Sequence, residues 1–143
     1  MTVSQVSVFT ESKPGHLSRV LHLFEEAGVN VRGYSASDTG EYGIVRYIVD
    51  KPDVALKTLQ DAGCACTITP VLCLRLDDTP GELARVMGVL AACEINVIYS
   101  YSMISTYIVL STPDIEHAER LLKSEPVELV DQEAITRLGA ENE

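Results

Sequence analysis

The stretch "KPGHLSRVLHLFEEAGVNV", Lys13 to Val31, returns 66 positions later as "TPGELARVMGVLAACEINV", Thr79 to Val97. In both, a Pro-Gly pair breaks the chain, apolar residues follow at helical spacing, and Asn-Val closes the phrase. In the first copy Leu17, Val20, Leu21, Phe24 and Ala27 recur at i, i+3, i+4 and i+7, which builds one apolar face on an amphipathic helix. Gly28 then supplies the stop. A phrase restated near the middle of a 143-residue chain predicts two homologous units, placed at residues 1–70 and 71–143, instead of a single domain. Units this small bury only about 60% of the surface their unfolded chains expose. They are therefore expected to pack as a pair.

Working outward, "VSQVSVF" before the first Pro-Gly alternates apolar and polar residues, the pattern of a half-buried strand. "VNVRGYSAS" and "GIVRYIVD" are β-rich and joined by Asp-Thr-Gly-Glu, a connection that suits an antiparallel hairpin. Pro52 opens a second helix, with Ala55, Leu56, Leu59 and Ala62 at helical spacing until Gly63 ends it. "CACTITPVLCLRLDD" reads as a long strand. Its interior Pro70 lacks an N–H, so the stretch is expected to be either two strands end to end, the last of one unit and the first of the next, or an edge strand.

The second unit repeats this order: a helix from Pro80 to about Cys93, a hairpin from Asn96 to about Leu110, a helix from Pro113 to about Lys123 and a strand around Val127–Val130. The offset drops from 66 at Pro14/Pro80 to 61 at Pro52/Pro113, which places a five-residue deletion, and a short turn, in the second hairpin. "DQEAITRLG" fits a last short helix of the second unit, capped by Asp131 and followed by Gly139. Each unit is thus β-α-β-β-α-β. That order predicts an α+β, ferredoxin-like arrangement, with two helices on one face of a four-stranded antiparallel sheet. Val31, Tyr34, Tyr47, Tyr99, Tyr101 and Tyr107 are candidates either for the opposite face of the sheets, where a partner would pack, or for completing the cores.

A formal net charge of −10 with pI near 4.7 argues against nucleic acid and anionic membranes as partners. No charged-then-apolar leader opens the chain and no apolar run nears the roughly 18 residues of a membrane span, so a cytoplasmic location is expected. The four cysteines, Cys64, Cys66, Cys73 and Cys93, read as reduced thiols. Cys-x-Cys without a nearby histidine is a poor metal signal, and neither metal nor cofactor is expected.

The two Pro-Gly loops differ in chemistry. Thr79-Pro80-Gly81-Glu82 has the form of a capping box, in which Thr79 and Glu82 satisfy each other's backbone N–H groups, with Pro80 at the first helical position. Lys13-Pro14-Gly15-His16 offers neither partner. Open N–H groups, the positive end of the helix dipole and the Lys13 ammonium together suit an anion such as a carboxylate, and Gly15 allows close approach. Hydration of that helix start, or capping by Ser12, are the plain alternatives. Asn30 and Asn96 follow each helix, where an amide suits a ligand's carboxylate and amino group; corner positions also favour asparagine for turn chemistry alone.

Taken together, "ESKPGHLSRVLHLFEEAGVNV" and "DDTPGELARVMGVLAACEINV" resemble the signature of the ACT domain, and the resemblance covers both units. It implies a regulatory module that binds an amino acid at the loop before the first helix, usually at an interface between two domains. Carried onto this sequence, it points to Lys13, Pro14, Gly15, His16, Leu17, Asn30 and Val31 in the first unit. In the second it points to Asp78, Thr79, Pro80, Gly81, Glu82, Leu83, Asn96 and Val97. With no catalytic domain attached, the chain resembles a stand-alone tandem ACT protein. Side-by-side pairing of the two sheets would bring both loops to a shared interface.

The leading expectation is a non-enzymatic sensor that binds an amino acid or similar small carboxylate. It would signal through a homodimer or higher homo-oligomer, or through a metabolic enzyme partner. The competing reading is a ligand-free interaction module. A small ferredoxin-like hydrolase is the third, but His16, His22 and His117 are scattered and no nucleophile–base arrangement accompanies them. Glu25-Glu26 and Asp77-Asp78 read as solvated or capping acids.

Overall fold

The computed structural model describes residues 1–11, 13–38, 40, 42–103 and 107–138. In chain order the elements are β1 (Val3–Glu11), α1 (His16–Glu26), β2 (Val31–Asp38), β3 (Tyr42–Val49), α2 (Pro52–Asp61) and β4 (Ala65–Arg75). Then come α3 (Glu82–Ala92), β5 (Tyr99–Ser102), β6 (Tyr107–Ser111), α4 (Ile115–Lys123), β7 (Glu128–Val130) and α5 (Gln132–Arg137). Two β-α-β-β-α-β passes are present, followed by one short helix.

The chain divides into two compact units, one of Ser4–Thr69 with the described residues from Ile135 onward, the other of Met1–Val3 with Pro70–Ala134. The division falls at Pro70, inside β4. The first unit's strands run in the order β2-β3-β1-β4 and the second's β5-β6-β4-β7, with β1–β3, β2–β3, β4–β6, β4–β7 and β5–β6 antiparallel. This is the ferredoxin-like arrangement.

The terminal helix, expected to complete the second unit, groups with the first. There Ile135 is fully buried and the Thr136 hydroxyl donates to the Asp50 carbonyl at 2.7 Å. The opposite terminus is tied to the second unit by the Met1 ammonium on Glu119. Asp131 does cap α5, its Oδ1 accepting from Ala134 N–H at 2.9 Å. Gly139, expected after that helix, lies outside the described residues.

The duplicated phrase becomes duplicated packing. Val6, Val8, Val20, Phe24, Val29, Tyr47 and Leu59 form one core; Leu72, Leu74, Val86, Leu90, Ile95, Leu110 and Leu122 form the other. Phe24 meets Tyr47 edge-on, with centroids 5.1 Å apart and planes at 88°, a favoured aromatic geometry. Tyr47 and Val31 therefore belong to the helix-side core, and Tyr34 shares that side because it is registered opposite Tyr47. Of the two placements open for these three residues, the helix-side one is observed. Tyr99 and Tyr101 do point to the other face, since their register partners Ser111 and Val109 alternate with the core residue Leu110.

Both first helices end on a residue in the left-handed region. Gly28 (φ 71°) does so at the end of α1, with Val29 N–H bonding Phe24 O. Glu94 (φ 57°) occupies the same station after α3, with Ile95 N–H bonding Leu90 O. Gly40 N–H is held by Asp38 Oδ1 at 2.6 Å; the flanking Thr39 and Glu41 of the first hairpin connection, and 104–106 of the second, lie outside the described residues.

Candidate functional site

The two Pro-Gly loops share one backbone design. In Lys13-Pro14-Gly15-His16, Gly15 has φ 88° and ψ −12°, and His16 N–H reaches Lys13 O at 3.4 Å. In Thr79-Pro80-Gly81-Glu82, Gly81 has φ 89° and ψ −8°, and Glu82 N–H reaches Thr79 O at 3.4 Å. Proline second and a left-handed glycine third define a type II turn. Each turn delivers its glycine as the N-cap of α1 or α3, with no side-chain cap bond at either.

This overturns two expectations. Pro80 sits in the turn and not at the first helical position. Thr79 and Glu82 form no capping box, because a glycine stands at the cap and Glu82's carboxylate is taken by Arg85. Arg85 Nε donates to Glu82 Oε1 and Nη2 to Oε2, both at 3.0 Å. This bond holds the Glu82 carboxyl below its ordinary pKa and raises that of Arg85. Consequently both helix starts are open. The N–H groups of Leu17 and Ser18, and of Leu83 and Ala84, bond no acceptor among the described residues. Ser12, the alternative cap, lies outside the described residues.

What distinguishes the loops is the side chains around them. A cleft of about 190 Å³ beside the first is lined by Glu11, Lys13, His16, Leu17, Ser37 and Asp38 among others. Its counterpart in the second unit, about 220 Å³, is lined by Asp77, Asp78, Thr79, Glu82, Leu83 and Ile108 together with Leu76. The first cleft mixes both charges. Lys13 donates to Glu11 at 2.7 Å with both groups exposed, and this hydrogen bond draws the Glu11 carboxyl below its usual range. The Lys13 ammonium is thus already paired, although exposed pairs of this kind are worth only about 0–1 kcal/mol and exchange partners readily. The second cleft presents Asp77 and Asp78 without a lining cation, while Glu82's charge is offset by Arg85, so its two remaining carboxylates oppose an anion at the same helix start.

Asn30 and Asn96 stand apart from these clefts. Asn30 is exposed and its backbone is tied to Asp50, with N–H to Oδ1 at 2.8 Å and the Asp50 N–H returning to Asn30 O. Asp50 follows the Val49 end of β3, whereas Glu11 and the Pro-Gly loop lie at its Tyr42 end. Within a unit, then, the length of the sheet separates Asn30 from Lys13, and the cleft beside Lys13 is not lined by Asn30. Val31 and Val97 pack against the helix-side cores. The predicted residues brought together are Lys13, His16 and Leu17 in one cleft and Asp78, Thr79, Glu82 and Leu83 in the other, with Pro-Gly shaping each turn.

Sequence reasoning missed Glu11, Ser37, Asp38 and Arg19. Arg19 and Arg85 were visible as one more pair at the repeat offset. Each anchors the connection between the second helix and last strand of its own unit, Arg19 through Ala62 O at 3.2 Å and Arg85 through Pro126 O at 3.0 Å. Among the described residues no His/Cys/Asp/Glu cluster suits a metal ion, and no helix is long and apolar enough to cross a membrane.

Comparison with known proteins follows the same duplication. The family model of the ACT domain pair matches residues 1–138. Protein BT0572 from Bacteroides thetaiotaomicron is similar in structure with a TM-score of 0.91 at 30% identity, over 96% of this chain and 98% of that one. The regulatory subunit of aspartate kinase from Thermus thermophilus, in its ligand-free form, gives a TM-score of 0.61 at 18% identity, over 85% of this chain and 90% of that one. The corresponding subunit from Thermus flavus gives 0.59, also at 18% identity and over the same shares of the two chains. No curated protein sequence matches the chain. With the family model matched over residues 1–138, this chain of two β-α-β-β-α-β units belongs to the ACT domain pair family.

Proposed function

We propose that this ACT domain pair is a regulatory sensor that binds an amino acid, or a similar small carboxylate, at the first Pro-Gly loop. Binding is read out through self-association or through a metabolic enzyme partner, without turnover of the ligand. The observation that carries the reading is the contrast between the clefts. Both helix starts leave two N–H groups open, but only the first has cationic or titratable basic side chains in its cleft, Lys13 and His16 beside Glu11 and Asp38, whereas the second is lined by Asp77, Asp78 and the Arg85-bound Glu82. Open N–H groups at a helix start favour an anion, and the second loop's own acids oppose one. Asn30, on the opposite end of its unit, takes part only if a second copy of the chain brings it to the loop. Aspartate kinase regulatory subunits have the same fold and are, by name, regulatory; the same role is proposed here, in a cytoplasmic setting.

A thermal-shift screen of the full chain against the twenty amino acids tests the reading. A ligand at 100 times its dissociation constant adds about 2.7 kcal/mol. For a chain of this size that raises the melting temperature by roughly 5–10 °C. No shift with any of the twenty contradicts the sensor reading and supports a ligand-free interaction module.

A further inference from the structure

Arg19 and Arg85 occupy the same station, each N–H bonding the carbonyl of its N-cap glycine at 2.9 Å. Each also fixes its guanidinium on a backbone carbonyl of its own unit, Ala62 or Pro126. They differ in what fills the fork. Arg85 Nε and Nη2 hold both oxygens of Glu82 at 3.0 Å, the bidentate geometry that a guanidinium offers a carboxylate. Three residues before Arg19 the chain has His16, which brings no carboxylate. Among the described residues no acid reaches Arg19 within ion-pair distance. Its Nη1 meets only the Cys64 sulfur, at 3.9 Å, a weak acceptor.

Resting on the sensor reading, we propose that Arg19 is the carboxylate anchor of the ligand site, and that the ligand's α-carboxylate takes the place that Glu82's own carboxylate occupies in the second unit. The second unit is in effect occupied by its own side chain, and the first is left for a ligand. Position 82 lines the cleft beside the second Pro-Gly loop while its carboxylate sits in the arginine fork. The equivalent position in the first unit, His16, lines the cleft of Lys13 and Leu17; Arg19, exposed one helical turn on, stands outside that lining, so a ligand held in its fork would reach the cleft over His16. The implied ligand class is a free α-carboxylate whose remaining atoms extend over His16 into that cleft. An ester or amide of the same compound lacks the negative charge shared over two equivalent acceptor oxygens and forfeits the fork.

The test uses the full chain, the twenty amino acids and their α-carboxamides as probes, and the variants Arg19→Gln, Arg19→Lys and His16→Glu, with melting temperature and calorimetric affinity as readouts. Any amino acid that stabilises the parent should bind at least tenfold more tightly than its carboxamide. Arg19→Gln should lower the affinity at least tenfold and erase that discrimination, and Arg19→Lys should restore it in part. His16→Glu, which leaves Arg19 intact but supplies an internal carboxylate, should weaken binding at least tenfold without lowering the melting temperature of the free protein. That variant decides the matter if Arg19→Gln does not fold. Parent-like affinity and carboxamide discrimination in both Arg19→Gln and His16→Glu would overturn the anchor and leave the sensor reading standing. An absence of any binding to the parent would overturn both.

Discussion

Glu94 shows how a repeat can preserve a conformation while changing the residue best suited to it. Its counterpart Gly28 takes φ 71° without steric cost, whereas Glu94 holds φ 57° with a Cβ, a left-handed placement that costs roughly 1–2 kcal/mol. Glu94→Gly should therefore raise unfolding stability by about 1 kcal/mol, measured by chemical denaturation; a loss of stability would contradict the assignment. Tyr47 is a second local test. Its hydroxyl is buried without a partner among the described residues, and burial pushes its pKa up. Tyr47→Phe removes an unsatisfied group whose burial costs about 1–3 kcal/mol, so it should be neutral or stabilising in the same assay, and clear destabilisation would show that the hydroxyl is bonded. At Glu82 the charge itself is testable. Because its folded pKa lies below the ordinary 4.5, its contribution is present above that value and lost as pH falls through the folded one. The stability gap between the parent and Glu82→Gln should accordingly shrink from about pH 6 to about pH 3, and a gap unchanged with pH would argue against the Arg85 bond.

Among the elements, the helices and strands were largely legible because periodicity reports burial. Val20 and Val86, or Phe24 and Leu90, sit at helical spacing and at the repeat offset, and each pair is buried at equivalent points of the two cores. Pro70 was legible in part: neither two separate strands nor an edge strand is found, since β4 runs unbroken from Ala65 to Arg75 between β1 and β6, but the division between the units does fall at Pro70. The helix starts were misread for a local reason. Thr79 and Glu82 fit a capping box by type and spacing, but a left-handed Gly81 takes the cap position and Arg85, one helical turn on, outcompetes the backbone for the carboxylate. Side-chain competition of this sort leaves no trace in a four-residue pattern. Where an aspartate does cap, the effect should be measurable. Asp114 accepts from His117 N–H at 3.1 Å, and Asp114→Ala should lower stability by about 1 kcal/mol; no change in the denaturation midpoint would remove that cap from the account.

For the molecule as a whole, the sequence reveals the duplication and the fold more fully than the assignment of the ends. The short last helix adjoins the second unit in sequence, yet Ile135 and Thr136 belong to the first, because a six-residue helix goes where its single buried face finds a core. The candidate site was legible as a pair of loops but not as a contrast between clefts, since Ser37 and Asp38 come from β2, whose approach to Lys13 depends on tertiary register. The cysteines offer an independent check on the packing. Cys93 is exposed, whereas Cys73 is fully buried and its thiol is pushed up to about 12 by that burial. Alkylation of the native protein at about pH 8 should modify Cys93 well before Cys73, as mass spectrometry would show, and equal rates would contradict the burial of Cys73 on the sheet face opposite Leu72 and Leu74.

The central claim, that the first loop binds an amino acid while the second is occupied by its own acids, is addressed most directly by amide-resolved NMR of the full chain titrated with each of the twenty amino acids. The account predicts saturable shifts concentrated at residues 15–19, with the amides of Leu17 and Ser18 moving most and those of Leu83 and Ala84 unmoved. Shifts of equal size at both loops, or none at either, would contradict it.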